Sequence, residues 1–202
     1  MKKFFTFAAV AVAVFFAGNS ANAQLSVEGG YNFQATHIEM GAMKADTAFN
    51  GIYAGVNYTQ NLVGNLSITP GVFLGFNTFS EKTAGIKYSW DQLGVMIPVT
   101  INYCIRLHDE FRLKIMVGPQ FDFGLVSQIT NDKNSNKVDM YNKDDFPAEL
   151  SRFDVSGLVG IRFEFYKFFV RTHFALGLTD VAKNDNVKMS NGRLLVGFGY
   201  TF

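Results

Sequence analysis

Apolar side chains fall on every second position through one segment of this chain after another, and between the first and last apolar member of each such run no Asp, Glu, Lys or Arg enters that phase. It runs through Leu25, Val27, Tyr31 and Phe33, then Ile52, Val56 and Tyr58, then Leu66, Ile68, Val72, Leu74 and Phe76. Leu93, Val95, Ile97, Val99, Ile101, Tyr103 and Ile105 continue it, followed by Phe111, Leu113, Ile115, Val117, Phe121 and Phe123. Val155, Val159, Ile161, Phe163 and Phe165 come next, then Val170, Phe174, Leu176 and Leu178, and finally Leu194, Val196, Phe198, Tyr200 and Phe202. A period of two is the period of a β-strand, whose successive side chains point to opposite faces. The other phase carries Glu28, Arg106, Arg112, Lys114, Asp122, Arg162, Glu164, Arg171 and His173, with Arg193 on the last segment. A Lys or Arg facing mid-bilayer lipid costs about 2–4 kcal/mol, so a lipid-facing surface is where such strict exclusion of charge is needed.

The alternation predicts eight strands, over residues 25–37, 49–60, 66–79, 87–107, 111–127, 153–166, 168–179 and 192–202. Most of these reach the ~9–11 residues that cross a bilayer at a tilt. The turns at 61–65, 108–110 and Lys167 are tight, whereas 38–48, 80–86, 128–152 and 180–191 are long. Short and long alternate strictly, as when short turns face the periplasm and long loops face outside, which puts both termini on the periplasmic side. The predicted fold is an all-β, eight-stranded antiparallel up-and-down transmembrane β-barrel, closed by pairing the first strand with the last. A secreted β-sandwich, or a soluble barrel with a polar exterior, is the rival, and long strands, loop asymmetry and a terminal aromatic stand against it. Pro70, Pro98 and Pro119 fall inside predicted strands, where a missing N–H interrupts the ladder, and bulges are expected there.

Residues 1–23 read as a secretory leader. Lys2 and Lys3 precede an apolar run over 4–17, and Ala21-Asn22-Ala23 supplies a cleavage motif between Ala23 and Gln24. That run is shorter than the ~20 residues of a membrane-spanning helix. The barrel domain is then 24–202, and loss of the two lysines takes the formal charge from +1 to −1. A near-neutral chain offers no basic field for nucleic acid. A single cysteine, Cys104, excludes an internal disulfide framework and a Cys-based zinc site.

Met96-Ile97-Pro98-Val99-Thr100-Ile101-Asn102-Tyr103, a turn, and Val117-Gly118-Pro119-Gln120-Phe121 resemble two strands of the PorT-like outer-membrane β-barrels of Bacteroidetes-type bacteria, one Ile-Pro-rich and one Gly-Pro-aromatic. Phe153-Asp154-Val155-Ser156-Gly157-Leu158-Val159-Gly160 and Phe174-Ala175-Leu176-Gly177-Leu178-Thr179-Asp180 are similar to that family's closing half. The likeness spans most of 24–202 and extends more loosely to OmpX-like eight-stranded barrels. It implies a barrel resident in the outer membrane and supplies no catalytic residues.

The inward charges Glu28, Lys114, Asp122, Arg162, Glu164, Arg171 and His173 read as an ion-pair network filling the lumen, with ion or proton conduction as the alternative. His37 stands at the outer end of the first strand, where Ser80, Ser127 or Ser151 can approach it, but no G-x-S-x-G elbow is present. Asp132-Lys133-Asn134-Ser135-Asn136 begins like a calcium loop and then has Lys137 in place of Gly and Lys143 in place of Glu, so no metal or other cofactor is expected. The mixed-charge stretch 128–152 reads as a solvated loop and the place for an external ligand, centred on Met140, Tyr141 and Phe146. Phe202 reads as the signal for the outer-membrane insertion machinery. The expected occupation is a non-enzymatic envelope scaffold. A narrow pore, an accessory of protein export and an outer-leaflet lipid enzyme are the alternatives.

Overall fold

Each apolar alternation becomes a strand in the computed structural model, and several strands outrun it. The structure describes residues 23–41, 43–83, 85–132, 137–142, 144–145, 150–182 and 187–202. The leader before Ala23, Phe146 and most of the calcium-like stretch lie outside the described residues, while Ala23 and Gln24 open the first strand. The strands are β1 Ala23–Met40, β2 Met43–Asn61, β3 Leu66–Thr83, β4 Ile86–Arg106, β5 Phe111–Asn131, β6 Lys137–Asp139, β7 Phe153–Phe165, β8 Phe168–Gly177 and β9 Val187–Thr201. Eight of them form a ring in which each pairs antiparallel with the strand on either side, and β1 meets β9 from Ser26↔Thr201 to Met40↔Val187, closing it. The three-residue β6 is an addition that pairs only with the far end of β5, through Gln128↔Asp139 and Thr130↔Lys137.

Two of the expected long loops are hairpins. β1 and β2 stay paired to Met40↔Met43, and β3 and β4 to Thr83↔Ile86. Gly41 (φ 60°) and Gly85 (φ 79°) supply the left-handed backbone that a two-residue hairpin turn demands. The sequence hides these extensions because Glu39, Lys44, Asp46 and Lys82 interrupt the apolar phase beyond the belt. β1 to β5 therefore run to 18–21 residues against 13 and 10 for β7 and β8, so one wall of the barrel stands taller than the other.

The prolines do not make bulges. Pairing skips two rungs at Tyr58/Pro70, at Gly71/Pro98 and at Val99/Pro119, and resumes in the same register each time. The β4–β5 register shift lies at Leu93/Gly94, opposite Leu125. A proline withholds one donor without changing residue count, so the ladder loses bonds but does not slip.

No member of the apolar phase is buried; Ile52 is 67 % exposed and Phe198 57 %. The 13 residues of β7 cover roughly 28 Å along the barrel axis at a rise of ~3.3 Å and a tilt of ~45°, close to the hydrocarbon thickness of a bilayer. Around the terminus-bearing end runs an aromatic ladder: Phe111 stacks on Phe165 at 4.6 Å, and Tyr200 meets Phe168 at 5.2 Å and Phe202 at 5.3 Å. Such girdles mark the membrane–water interface.

Candidate functional site

The inward phase fills the lumen in layers. Nearest the terminus-bearing end, Glu164 Oε1 lies 2.8 Å from both Lys114 Nζ and Arg162 Nε, while Glu28 Oε1 lies 3.1 Å from Arg171 Nε. All five side chains are buried. Glu28 also accepts hydrogen bonds from the Tyr53 hydroxyl at 2.6 Å and Asn57 Nδ2 at 3.0 Å. Arg162 stacks over the Phe169 ring at 3.5 Å and donates to the Thr201 hydroxyl at 2.9 Å. Inward glycines make room for the rings: Phe169 rests against Gly199, and the Tyr53 hydroxyl against Gly197.

Above these charges Tyr53, Phe73, Met96 and Leu195 form a buried apolar layer. Arg171 reaches it from below, 5.0 Å from the Phe73 ring centre. An interior read from sequence as a charge network thus contains an apolar septum as well. Leu195 shares the inward phase with Arg193, so the parity of β9 already places it there.

Next comes a polar chamber of about 70 Å³, whose lining includes Asn32, Asn77, Asp122, Asp154, Asn191 and Arg193. Gln34 is its hub: Nε2 donates to Gln92 Oε1 at 3.1 Å, and Oε1 accepts from Arg193 Nε at 2.9 Å and Asn77 Nδ2 at 3.3 Å. Asp122 belongs to this chamber and not to the layer of Lys114. Its ion partner is Arg193, with Nη1 2.5 Å from Oδ2. Asp154 shares the inward phase of Arg162 and Glu164, so parity alone places it in the lumen, and nothing in its sequence surroundings marks it further. His173 is buried, and neither ring nitrogen has a hydrogen-bond partner among the described residues, so it does not join an ion-pair network. Arg106 and Arg112 sit exposed at the terminus-end rim.

The chamber is capped. Phe49, Trp90, Met140, Leu150, Val181 and Met189 form one buried cluster across the far mouth. Trp90 meets Phe49 edge-on at 5.0 Å and donates to Ser127 Oγ at 2.9 Å. The reading of 128–152 as a solvated loop fails here: Met140 is 3 % exposed and Leu150 6 %. Backbone bonds stitch the segment down, from Met140 N to Ser127 O at 2.9 Å, Leu150 N to Met140 O at 2.9 Å and Ser151 N to Val181 O at 2.7 Å. The Tyr141 hydroxyl sits against Gly124 while Arg152 stacks on its ring at 4.3 Å, and burial pushes the phenol up from its ordinary pKa. Met140 and Tyr141 are therefore turned inward and unavailable as the centre of an external contact. A short run of apolar residues among charges carries no clear period, which is why this burial escapes the sequence.

His37 is held by carboxylates on both ring nitrogens, Asp46 Oδ1 at 2.5 Å from Nδ1 and Glu39 Oε1 at 3.2 Å from Nε2. Ser80 instead bonds Ser89 at 3.0 Å, Ser127 accepts from Trp90, and Ser151 donates to the Phe153 carbonyl at 2.9 Å. The serine that the β1–β9 register sets opposite His37 is Ser190. Among the described residues no group of three or more His, Cys, Asp or Glu side chains is placed to hold a metal ion.

Phe202 is 65 % exposed at the end of the aromatic ladder, and its N–H donates to the Leu25 carbonyl at 2.9 Å. Similar solved structures include Ail, the attachment invasion locus protein of Yersinia pestis, in complex with the heparin analogue sucrose octasulfate. It shares 14 % identity and a TM-score of 0.48, over 90 % of this chain and 99 % of that one. Neisserial surface protein A is similar at 10 % identity and TM-score 0.47, over 89 % and 99 %. The outer membrane protease OmpT from Escherichia coli is similar at 11 % and 0.46, over 90 % and 97 %. Among curated proteins none matches the chain. The model of the outer membrane protein beta-barrel domain matches residues 16–183, and the chain belongs to that family of outer-membrane barrels.

Proposed function

We propose that this protein is a non-enzymatic barrel of the outer membrane, whose lumen is a structural filling and whose hairpin end meets the surroundings. The observation that carries the reading is the layered interior: buried ion pairs, an apolar septum and an apolar cap follow one another along the barrel axis. An eight-stranded interior is about wide enough for side chains to fill. A catalytic reading through His37 is disfavoured because Glu39 occupies Nε2, the nitrogen needed to activate a serine beside it.

In this reading the terminus-bearing end faces the periplasm and the tall β1–β5 wall faces outward, with residues 1–23 removed as a leader. The PorT-like resemblance refines the family along the same lines and rests on the motifs around Pro98 and Pro119. With Met140 and Tyr141 turned inward, an external ligand is met by the β1–β2 and β3–β4 hairpins, where Glu39, Lys44, Asp46, Glu81, Lys82 and Lys87 offer mixed charge. Planar-bilayer recording tests the filling. The wild-type barrel is expected to be electrically silent, and silent also after deletion of 137–150, because the septum and the ion pairs remain. Reproducible conductance from the wild type would overturn the reading in favour of a narrow pore.

A further inference from the structure

With Asp122 and Asp154 both ionised, the chamber holds one negative charge more than its own residues balance. Asp122 and Asp154 stand directly opposite each other on β5 and β7, and both are buried, at 5 % and 3 % exposure. Cβ atoms of such a pair lie about 4.5–5.5 Å apart, and like charges so placed destabilise a sheet. One guanidinium, Arg193, serves the two carboxylates through Asp122. The other contacts are neutral: Gln120 Nε2 at 3.0 Å and Ser156 Oγ at 3.4 Å on Asp122, and Thr179 Oγ1 at 2.6 Å and Asn191 Nδ2 at 3.2 Å on Asp154. The remaining cation of the lining, Arg152, is exposed at the rim, where Nη1 donates to the carbonyls of Gly124 at 3.3 Å and Leu125 at 2.9 Å.

A second observation points to a bound species. Asn32 is 1 % exposed, lines the chamber, and has no hydrogen-bond partner for Oδ1 or Nδ2 among the described residues. Asn77 Oδ1, also in the lining, is in the same condition. Buried amide groups left unbonded cost about 1–3 kcal/mol each, so native interiors supply them with water or a ligand. Gly51 stands between the two asparagines in the register, Asn32↔Gly51↔Asn77, and the Asn77 amide oxygen fills the place a side chain there would take.

Size and charge then select the occupant. About 70 Å³ accommodates an ion with a few waters and not a sugar. Carboxylate and amide oxygens suit a hard cation, and an excess of one negative charge is neutralised by a monovalent one. We propose that the chamber binds a single alkali cation, sodium or potassium, on the Asp122 and Asp154 carboxylates, with its remaining waters hydrogen-bonded to Asn32 and Asn77.

The test is urea unfolding of the folded barrel in detergent micelles at fixed ionic strength, in sodium, potassium or choline chloride. Choline is too large for the chamber and screens surface charge equally. The midpoint is expected to rise saturably as sodium or potassium replaces choline, as it does when a ligand binds only the folded state. That rise should vanish in Asp154→Asn, shrink in Asn32→Ala and persist in Arg112→Gln, which alters the rim. Equal midpoints in the three salts overturn the proposal, and so does a rise that survives Asp154→Asn. Should Asp154→Asn not insert, the sodium NMR linewidth of the wild-type barrel decides. Broadening that potassium reverses and choline does not supports the site, and its absence refutes it.

Discussion

Glu164 balances two cations at once, Lys114 and Arg162, in a layer where none of the three is more than 7 % exposed. Removing it strands both, and breaking a buried pair by deleting one partner costs about 3–5 kcal/mol. Glu164→Ala is therefore expected to lower the unfolding free energy by about that amount in a urea titration of the folded barrel. Exchanging Lys114 and Glu164 together for methionines should cost less than Glu164→Ala, because Arg162 keeps its contacts with Phe169 and Thr201. At this scale the alternation revealed which side chains point inward, including Asp154 and Leu195, which parity places there without marking them as important. It did not reveal partners. Glu28 and Arg171 are far apart in sequence, and Asp122 meets Arg193 only because the ring closes.

The β1–β2 hairpin shows what an element adds. Register puts His37 opposite Asp46 and Glu39 opposite Lys44, with Lys44 Nζ 2.7 Å from Glu39 Oε1. The hydrogen bond with Asp46, then that with Glu39, raises His37 above its ordinary 6.5, while Lys44 first and His37 second hold Glu39 below its ordinary 4.5. The signs are opposite. The His37 contribution to hairpin stability is full below pH 6.5 and is lost as pH rises through the raised value. The Glu39 contribution is present above pH 4.5 and is lost as pH falls through the lowered value. Hairpin amides, corrected for intrinsic exchange, should be best protected between those limits, and an NMR titration should place the His37 midpoint above 6.5. The cap segment gives a second prediction at this scale. Tyr141→Ala removes the ring held between Gly124 and Arg152, so limited proteolysis should cut within 137–150 faster while the barrel stays folded. Unchanged cleavage would show that the backbone bonds of Met140 and Leu150 suffice to hold the cap.

At the scale of the molecule, the exposed apolar phase and the aromatic ladder leave one environment in which the fold is soluble, and that is lipid. Phe202 is proposed as the signal for insertion. Phe202→Asp puts a charge at the lipid-facing end of the ladder beside Tyr200, and is expected to leave the chain in the periplasm in a fractionation assay. Normal insertion would remove Phe202 as a signal.

The strands, their inward and outward faces and the membrane setting are legible in the order of the residues alone. Strand periodicity and the cost of a charge in lipid act residue by residue, so they leave a local trace. The hairpin extensions left a weaker one because charged residues break the apolar phase there. The layers of the lumen, the excess charge at Asp122 and Asp154 and the folded-in cap arise only from the closed ring. Each depends on which strands stand across the ring from one another, and closure brings together residues that the sequence keeps far apart.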